Sequence, residues 1–154
     1  MDDRAIPHEL DLLRTAVHLE KGCYRGQETV ARVHNLGRPP RRLTRLLLDG
    51  SVHGLPEHGA PVILRPAEDT PEARAAARPV GTVTAAAQHH EAGAVALALL
   101  KRTVPVDAEL LVREDAPGED GVAEGGWIAA SQEPLVSPDA GQVVGRPRGV
   151  GRLR

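Results

Sequence analysis

Short apolar runs separated by turn residues dominate the chain from residue 41 onward. The five clearest runs cover residues 43–48, 61–65, 80–86, 94–101 and 109–113. Residues typical of turns separate them, namely Asp49-Gly50, His58-Gly59, Glu91-Ala92-Gly93 and Pro105. A further short run at 127–129 adds one last strand. Short strands at this spacing predict a mainly β fold built on a small antiparallel barrel of about six strands.

The run 94–101 is the clearest strand, because large aliphatic residues alternate there with small ones. The large residues are Val95, Leu97 and Leu99, and the small ones are Ala94, Ala96 and Ala98. Alternation puts the two sets on opposite faces of a strand, as a closely curved sheet requires.

The first 36 residues follow a different pattern, a short α/β segment. Leu10, Leu13 and Val17 form an apolar stripe that predicts one helix starting at Pro7. The apolar stretch 17–19 predicts a short strand, followed by a tight turn and a second helix. Such a segment cannot enclose a core, so we expect it either to lie against the barrel or to be partly exposed and mobile.

The second helix of this segment carries several local signals. Val30 and Val33 lie three residues apart, as one helical face requires. Glu28 and Arg32 are four apart with the acid first, which predicts a favourable surface pair. Gly37 is the expected end of the helix.

Two later stretches lack strand periodicity. The alanine-rich stretch 70–78 is interpreted as an insertion loop, with a turn or two of helix after Pro71 as the alternative. The end of the chain, residues 141–154, combines arginines with glycines and predicts a disordered basic tail.

The densest chemistry lies in residues 21–28, Lys-Gly-Cys-Tyr-Arg-Gly-Gln-Glu. Cys23 is the only cysteine, flanked by Lys21 and Arg25 before a predicted helix, and both features favour the reactive thiolate. Two interpretations remain open. Cys23 is either a reactive or ligand-binding thiol on an exposed turn, or a small packing residue without chemistry.

This motif, followed by Val-Ala-Arg, resembles the signature of the YgfZ family. These are folate-binding proteins related to the T-protein (aminomethyltransferase) of the glycine cleavage system. The upstream run Ile6-Pro7-x-Glu9-Leu10 also resembles that family, and weaker features continue to about residue 113. Family members carry the signature well past the middle of a longer chain, so this chain resembles the C-terminal part only. The larger part of the family's folate pocket would come from residues that this chain lacks. Weak or absent folate binding is therefore expected of the isolated chain, unless a separate polypeptide supplies the N-terminal half.

The resemblance implies a domain organisation and a function. Residues 1–38 would be a remnant of the folate-binding domain, 39–132 a T-protein-like barrel and 133–154 the tail. The implied function is a tetrahydrofolate-dependent accessory factor, more a non-enzymatic protein than an enzyme, that supports iron–sulfur cluster assembly or repair. The alternative is an aminomethyltransferase that transfers a one-carbon unit to tetrahydrofolate.

The resemblance also assigns roles and partners. Cys23 would be the functional thiol, and Lys21 and Arg32 would contact folate. The whole set of matching signature residues is Lys21, Gly22, Cys23, Tyr24, Gly26, Gln27 and Glu28. The implied partners are folate, iron–sulfur enzymes or their assembly factors, and a separate polypeptide that supplies an N-terminal half.

Composition argues against several classes of partner and site. The 19 basic and 21 acidic residues give no global attraction to nucleic acid or to an anionic membrane. No apolar run approaches the ~20 residues of a membrane span, and one cysteine suits a reducing cytoplasm. The seven histidines lack the spacing of a metal site and are expected in surface loops.

Overall fold

The computed structural model describes residues 4–50, 54–114 and 126–139 of the 154-residue chain. A 3₁₀ helix, Pro7–Leu10, comes first. The α-helices are α1 (Leu13–Ala16), α2 (Gln27–Leu36) and α3 (Pro71–Ala76). The strands are β1 (Arg41–Leu48), β2 (Pro61–Leu64), β3 (Gly81–His89), β4 (Gly93–Lys101), β5 (Leu110–Glu114) and β6 (Gly126–Pro134).

The six strands form one closed antiparallel barrel in the order β1-β4-β3-β2-β5-β6. This confirms the prediction of a mainly β fold with a small six-stranded barrel. Each of the six predicted apolar runs corresponds to one strand. The sixth strand is longer than the run at 127–129 that predicted it, because its second half pairs with β1 through Pro134.

The interior of the barrel is aliphatic and lined partly by small side chains. Along β4, Ala94, Ala96, Ala98 and Leu100 point inward and are buried, as is Leu46 of β1. Curving six strands into a closed barrel leaves little space inside, so alternating alanines fit where a second layer of leucines would not. The alternation predicted for β4 is therefore present, with its small residues on the inner face.

A buried arginine closes one end of this interior. Arg42 is 1% exposed, and its guanidinium donates hydrogen bonds to the carbonyls of Arg102 and Val104 and to Oε1 of Gln132. Gln132 in turn donates to the carbonyl of Pro105 at 2.8 Å. Burial, with the nearby charge of Arg102, lowers the pKa of Arg42. Its side chain thereby fastens the loop after β4 to both β1 and β6.

The region before the barrel departs from the prediction in two places. The single helix predicted from Pro7 is divided into the 3₁₀ helix and α1, because Asp11 adopts the left-handed conformation with φ 55°. The stretch 17–19 forms no strand and leads directly into a turn. An isolated three-residue strand has no partner there to satisfy its backbone groups, so its apolar residues do not form one.

The stretch 70–78 was wrongly interpreted as a loop, since its centre forms α3. Thr70 caps the helix, with its Oγ1 accepting a hydrogen bond from the amide of Ala73 at 3.2 Å, and Pro71 occupies the first turn. Asp69 accepts bonds from both Arg65 and Arg74 beside it. The cap and the alanines therefore outweigh the short length of the segment.

The tail predicted at 133–154 begins too early, because Glu133 and Pro134 are the last residues of β6 and pair with β1. Its glycine- and arginine-rich part, 141–154, lies outside the described residues.

Candidate functional site

The segment that carries the signature contacts the barrel at its 3₁₀ helix, where an ion pair joins Glu9 to Arg41. Glu9 of the 3₁₀ helix is fully buried, and its two carboxylate oxygens accept bonds from Nε and Nη2 of Arg41 in β1, each at 2.9 Å. The amide of Ile6 donates to the same carboxylate at 3.2 Å. Paired, planar geometry of this kind is the strong form of an arginine–carboxylate contact. The 3₁₀ helix therefore docks on β1, while most side chains of residues 11–29 remain exposed.

The signature turn, residues 21–28, is built by its glycine and its glutamine. Gly26 precedes α2 with φ 84°, a left-handed conformation that glycine adopts without a Cβ clash. Its carbonyl accepts the first helical bonds, from Thr29 and Val30. The side-chain oxygen of Gln27 accepts a hydrogen bond from the backbone amide of Tyr24 at 3.0 Å. The backbone amide of Gln27 in turn donates to the carbonyl of Tyr24. The turn is therefore held from within.

We predict that Gly26→Ala destabilises this turn and α2 by about 1–2 kcal/mol, the cost of forcing an L-residue into the left-handed region. Gly22→Ala is the matched control, because it adds the same methyl group in the same turn at a position without positive φ and with open space around it. Thermal unfolding followed by far-UV circular dichroism measures both. Equal losses of helical signal in the two variants would contradict this account.

Lys21 and Tyr24 are brought together across the turn. The ammonium nitrogen of Lys21 lies 5.3 Å from the centre of the Tyr24 ring, within the range of a cation–π contact. The ring of Tyr24 is half-buried, while Lys21 is exposed. The contact orients a positive charge beside an aromatic surface at one edge of the turn.

This edge opens into a cavity of about 540 Å³, which we call the cationic cavity. Its walls come from residues 4–7, 16–18, 24–26, Lys21 and the first turns of α2 at Thr29 and Val30. Its basic side chains are Arg4, Lys21 and Arg25, with His18 beside them. The described residues that line the cavity include no aspartate or glutamate. A lining of this charge suits an anionic ligand, and a volume of a few hundred Å³ is typical of pockets that bind small molecules.

The structure brings together only part of the predicted site. Lys21, Tyr24 and Gly26 line the cationic cavity, whereas Cys23 is an exposed free thiol outside its lining. Gly22 is also outside the lining, in open space. Gln27 supports the turn rather than lining the cavity.

On α2, Glu28 and Arg32 are both exposed and neither lines the cavity. The predicted ion pair between them is not formed: none of the salt bridges among the described residues joins Glu28 to Arg32. On a solvated helix face, holding two long side chains together costs as much entropy as the screened attraction returns.

Two basic lining residues, Arg4 and His18, were not among the predicted site residues. Neither belongs to the signature. His18 lies three positions before Lys21 in the chain, whereas Arg4 is brought near it by the folding of the N-terminal segment. The basic character of both residues was visible in the sequence, but the proximity of Arg4 depended on where the segment folds.

Among the described histidines, His8 differs from the prediction of exposed positions. His8 is buried, 6% exposed, rather than in a surface loop, because it lies on the face of the 3₁₀ helix that packs inward. Across residues 4–50, 54–114 and 126–139, no group of three or more His, Cys, Asp or Glu side chains could hold a metal ion. None of the described helices is both long enough and apolar enough to cross a membrane.

The fold and the cavity define a small closed barrel with a docked signature segment that presents a basic pocket. Comparison with curated proteins then gives its relatives. The chain is 36% identical over 100 residues to the tRNA-modifying protein YgfZ of Shigella dysenteriae serotype 1 (strain Sd197), a stretch that covers 65% of this chain and 28% of that protein. It is 35% identical, with the same coverage, to the tRNA-modifying protein YgfZ of Escherichia coli (strain SMS-3-5 / SECEC).

The chain is therefore related to the YgfZ-type proteins, in their C-terminal part. The matched stretch spans about 28% of the length of these curated relatives. No family model matches the chain.

Proposed function

We propose that this chain is the C-terminal part of a YgfZ-type folate-binding accessory protein, and that the cationic cavity forms part of its tetrahydrofolate site. The longer protein would support iron–sulfur cluster assembly or repair and, as the names of the relatives suggest for them, tRNA modification. The observation that carries the proposal is that the signature turn directs Lys21, Tyr24 and Arg25 into one cavity.

The chemistry of the lining fits a folate. Tetrahydrofolate combines a flat pterin ring with a glutamate tail whose carboxylates are ionised at neutral pH, and it carries one-carbon units. Lys21 and Arg25 supply positive charge for such carboxylates, and arginine in particular suits their two-oxygen geometry. Tyr24 and Val30 supply apolar surface for a ring.

The residues around the cavity would bind and orient the ligand rather than react with it. Gly26 and Gln27 keep the turn in one conformation, so that Lys21 stays beside Tyr24 when the ligand leaves. A preformed site of this kind loses less entropy on binding. Cys23, exposed at the outer side of the turn, would be the functional thiol that meets a partner, such as an iron–sulfur enzyme or an assembly factor.

Other parts of the site would come from a region outside this chain, either in a longer product or in a separate N-terminal half. An aminomethyltransferase activity is the alternative proposal. The names of the relatives favour the accessory protein over the transferase, since they describe tRNA modification.

Calorimetric titration of the 154-residue chain with tetrahydrofolate tests the proposal. We expect weak but measurable binding, reduced at least about tenfold in Arg25→Gln, because one charged contact to a carboxylate contributes 1.5–3 kcal/mol. The matched control is Arg78→Gln, an identical substitution at an exposed position outside the cavity lining, and it should leave the affinity unchanged.

The same titration separates the roles of two further residues. Cys23→Ala should bind tetrahydrofolate as the wild type does, since the thiol does not line the cavity. Arg32→Gln tests the predicted folate contact of Arg32 from α2. Equal loss in Arg25→Gln and Arg78→Gln, or unchanged affinity in both, would contradict the placement of folate in this cavity.

A further inference from the structure

His8 has an unusual environment for a titratable side chain. It is 6% exposed, and neither Nδ1 nor Nε2 has a hydrogen-bond partner. Buried polar atoms are almost always paired, so each exception calls for an explanation. In the neutral form this arrangement leaves one N–H donor and one acceptor nitrogen unpaired. In the protonated form it would bury a charge with two unsatisfied donors.

The neighbouring charged groups do not stabilise the positive charge that His8 would carry when protonated. Glu9, next in the same helix, has both carboxylate oxygens engaged by Arg41 of β1. His34 of α2 places its ring centre 6.3 Å from that of His8 and would repel it when charged. On α1, the charge of Arg14 is exposed and paired at the surface with Asp11 at 3.5 Å.

His8 lies where the N-terminal segment joins the rest of the molecule. The 3₁₀ helix that contains it contacts β1, α1 and α2. The residues just before it, Ile6 and Pro7, form part of the wall of the cationic cavity. Any movement of His8 toward solvent would therefore displace this wall.

We propose that His8 is a proton-sensitive latch: its protonation releases the N-terminal 3₁₀ helix from β1 and α2 and disassembles the cationic cavity. The neutral ring packs as an apolar group among these elements. The charged imidazolium ring must be hydrated, and it reaches water only when the 3₁₀ helix moves away from β1 and α2.

The direction of the effect follows from linkage. Burial lowers the pKa of His8, the nearby His34 lowers it further, and Glu9 opposes them. The released segment has an ordinary histidine, with a pKa near 6.5, and so binds the proton more tightly than the docked one. Docking is therefore complete above that pH and weakens as the pH falls below it. Between pH 7.5 and 5.5 the released fraction should rise, by at most about tenfold.

Amide hydrogen exchange on the full chain tests the latch without any ligand. We expect amides of the 3₁₀ helix and α2 to lose protection between pH 7.5 and 5.5, by up to about tenfold, after correction for intrinsic rates. Amides of β1 and β4 should keep theirs. In His8→Leu, which packs without titrating, the pH difference should disappear, and in His34→Gln it should remain.

Three results would overturn the proposal. The first is protection in the wild type that does not change with pH, and the second is a pH effect in His8→Leu as large as in the wild type. The third is a pH effect that disappears in His34→Gln but persists in His8→Leu. If His8→Leu does not dock at either pH, NMR titration of the wild-type His8 ring decides the matter. Its protonation must share a midpoint with the loss of protection, and separate midpoints would exclude the latch.

The consequence for ligand binding rests on the proposed function. Tetrahydrofolate binding should weaken at pH 5.5 in the wild type and persist in His8→Leu. Absence of binding at pH 7.5 would refute the folate assignment alone, because the exchange experiment measures docking independently.

Discussion

Leu100→Ala should lower the free energy of unfolding of the barrel by about 3 kcal/mol, one of the largest effects expected of any single substitution here. Leu100 is fully buried in the core of the barrel, and the other inward-facing residues of its strand, Ala94, Ala96 and Ala98, are small. Its side chain lies directly over Gly81, where a Cβ would come within 2.5 Å of it. Neither Gly81 nor the alanines around it can fill the vacated space, so most of the cavity cost remains.

Urea denaturation followed by the fluorescence of Trp127, the only tryptophan, measures this loss because Trp127 lies in β6 of the barrel. Leu97→Ala is the matched control. It removes the same atoms from the same strand at a half-buried position on the outer face, where the cost should stay below about 1.5 kcal/mol. Similar shifts of the midpoint in the two variants would contradict the assignment of inner and outer faces.

Glu9→Gln should weaken the docking of the N-terminal segment by about 3 kcal/mol. The substitution preserves the shape of the side chain but removes the charge that holds the guanidinium of Arg41. Breaking a buried pair at one partner costs 3–5 kcal/mol, and the low end applies because the side chain of Arg41 is 24% exposed. Protection of amides in α2 and the 3₁₀ helix should then fall about 100-fold.

The same β-strand offers a control for this variant. Arg45 of β1 is paired with Glu133 of β6, and both side chains are more than 40% exposed. Glu133→Gln should therefore cost less than about 1 kcal/mol, since water already screens that pair. If Glu9→Gln left the protection of α2 intact, the buried pair would not be what fastens the segment to the barrel.

Sequence periodicity predicted the strands well for a physical reason. A closed antiparallel barrel buries one face of every strand, so alternation of large, small and polar residues is imposed locally along each run. The run 94–101 shows this most clearly, and β4 occupies nearly the same residues. Helix α2 was predictable for a similar reason, because Gly26 and Gly37 mark its ends within the segment itself.

Segments with weak or conflicting local signals were less predictable. For α3, the cap at Thr70 and Pro71 was present, but six residues make a short helix whose stability depends on context. The stretch 17–19 has strand-like residues and no neighbouring strand. In both cases the local propensity allows more than one secondary structure, and the tertiary contacts select one of them.

The sequence by itself determined the strands of the barrel, the signature turn and the relationship to YgfZ-type proteins, since each strand and the signature motif are encoded over a few consecutive residues. Only the tertiary structure decided what the N-terminal segment does. The contact of Glu9 with Arg41 joins residues 32 positions apart, and the burial of His8 follows from that docking. The cationic cavity depends on the same segment, because Arg4 and residues 5–7 meet Lys21 only when the chain folds back. Periodicity specifies which face of an element is buried, but not which distant residue meets it there.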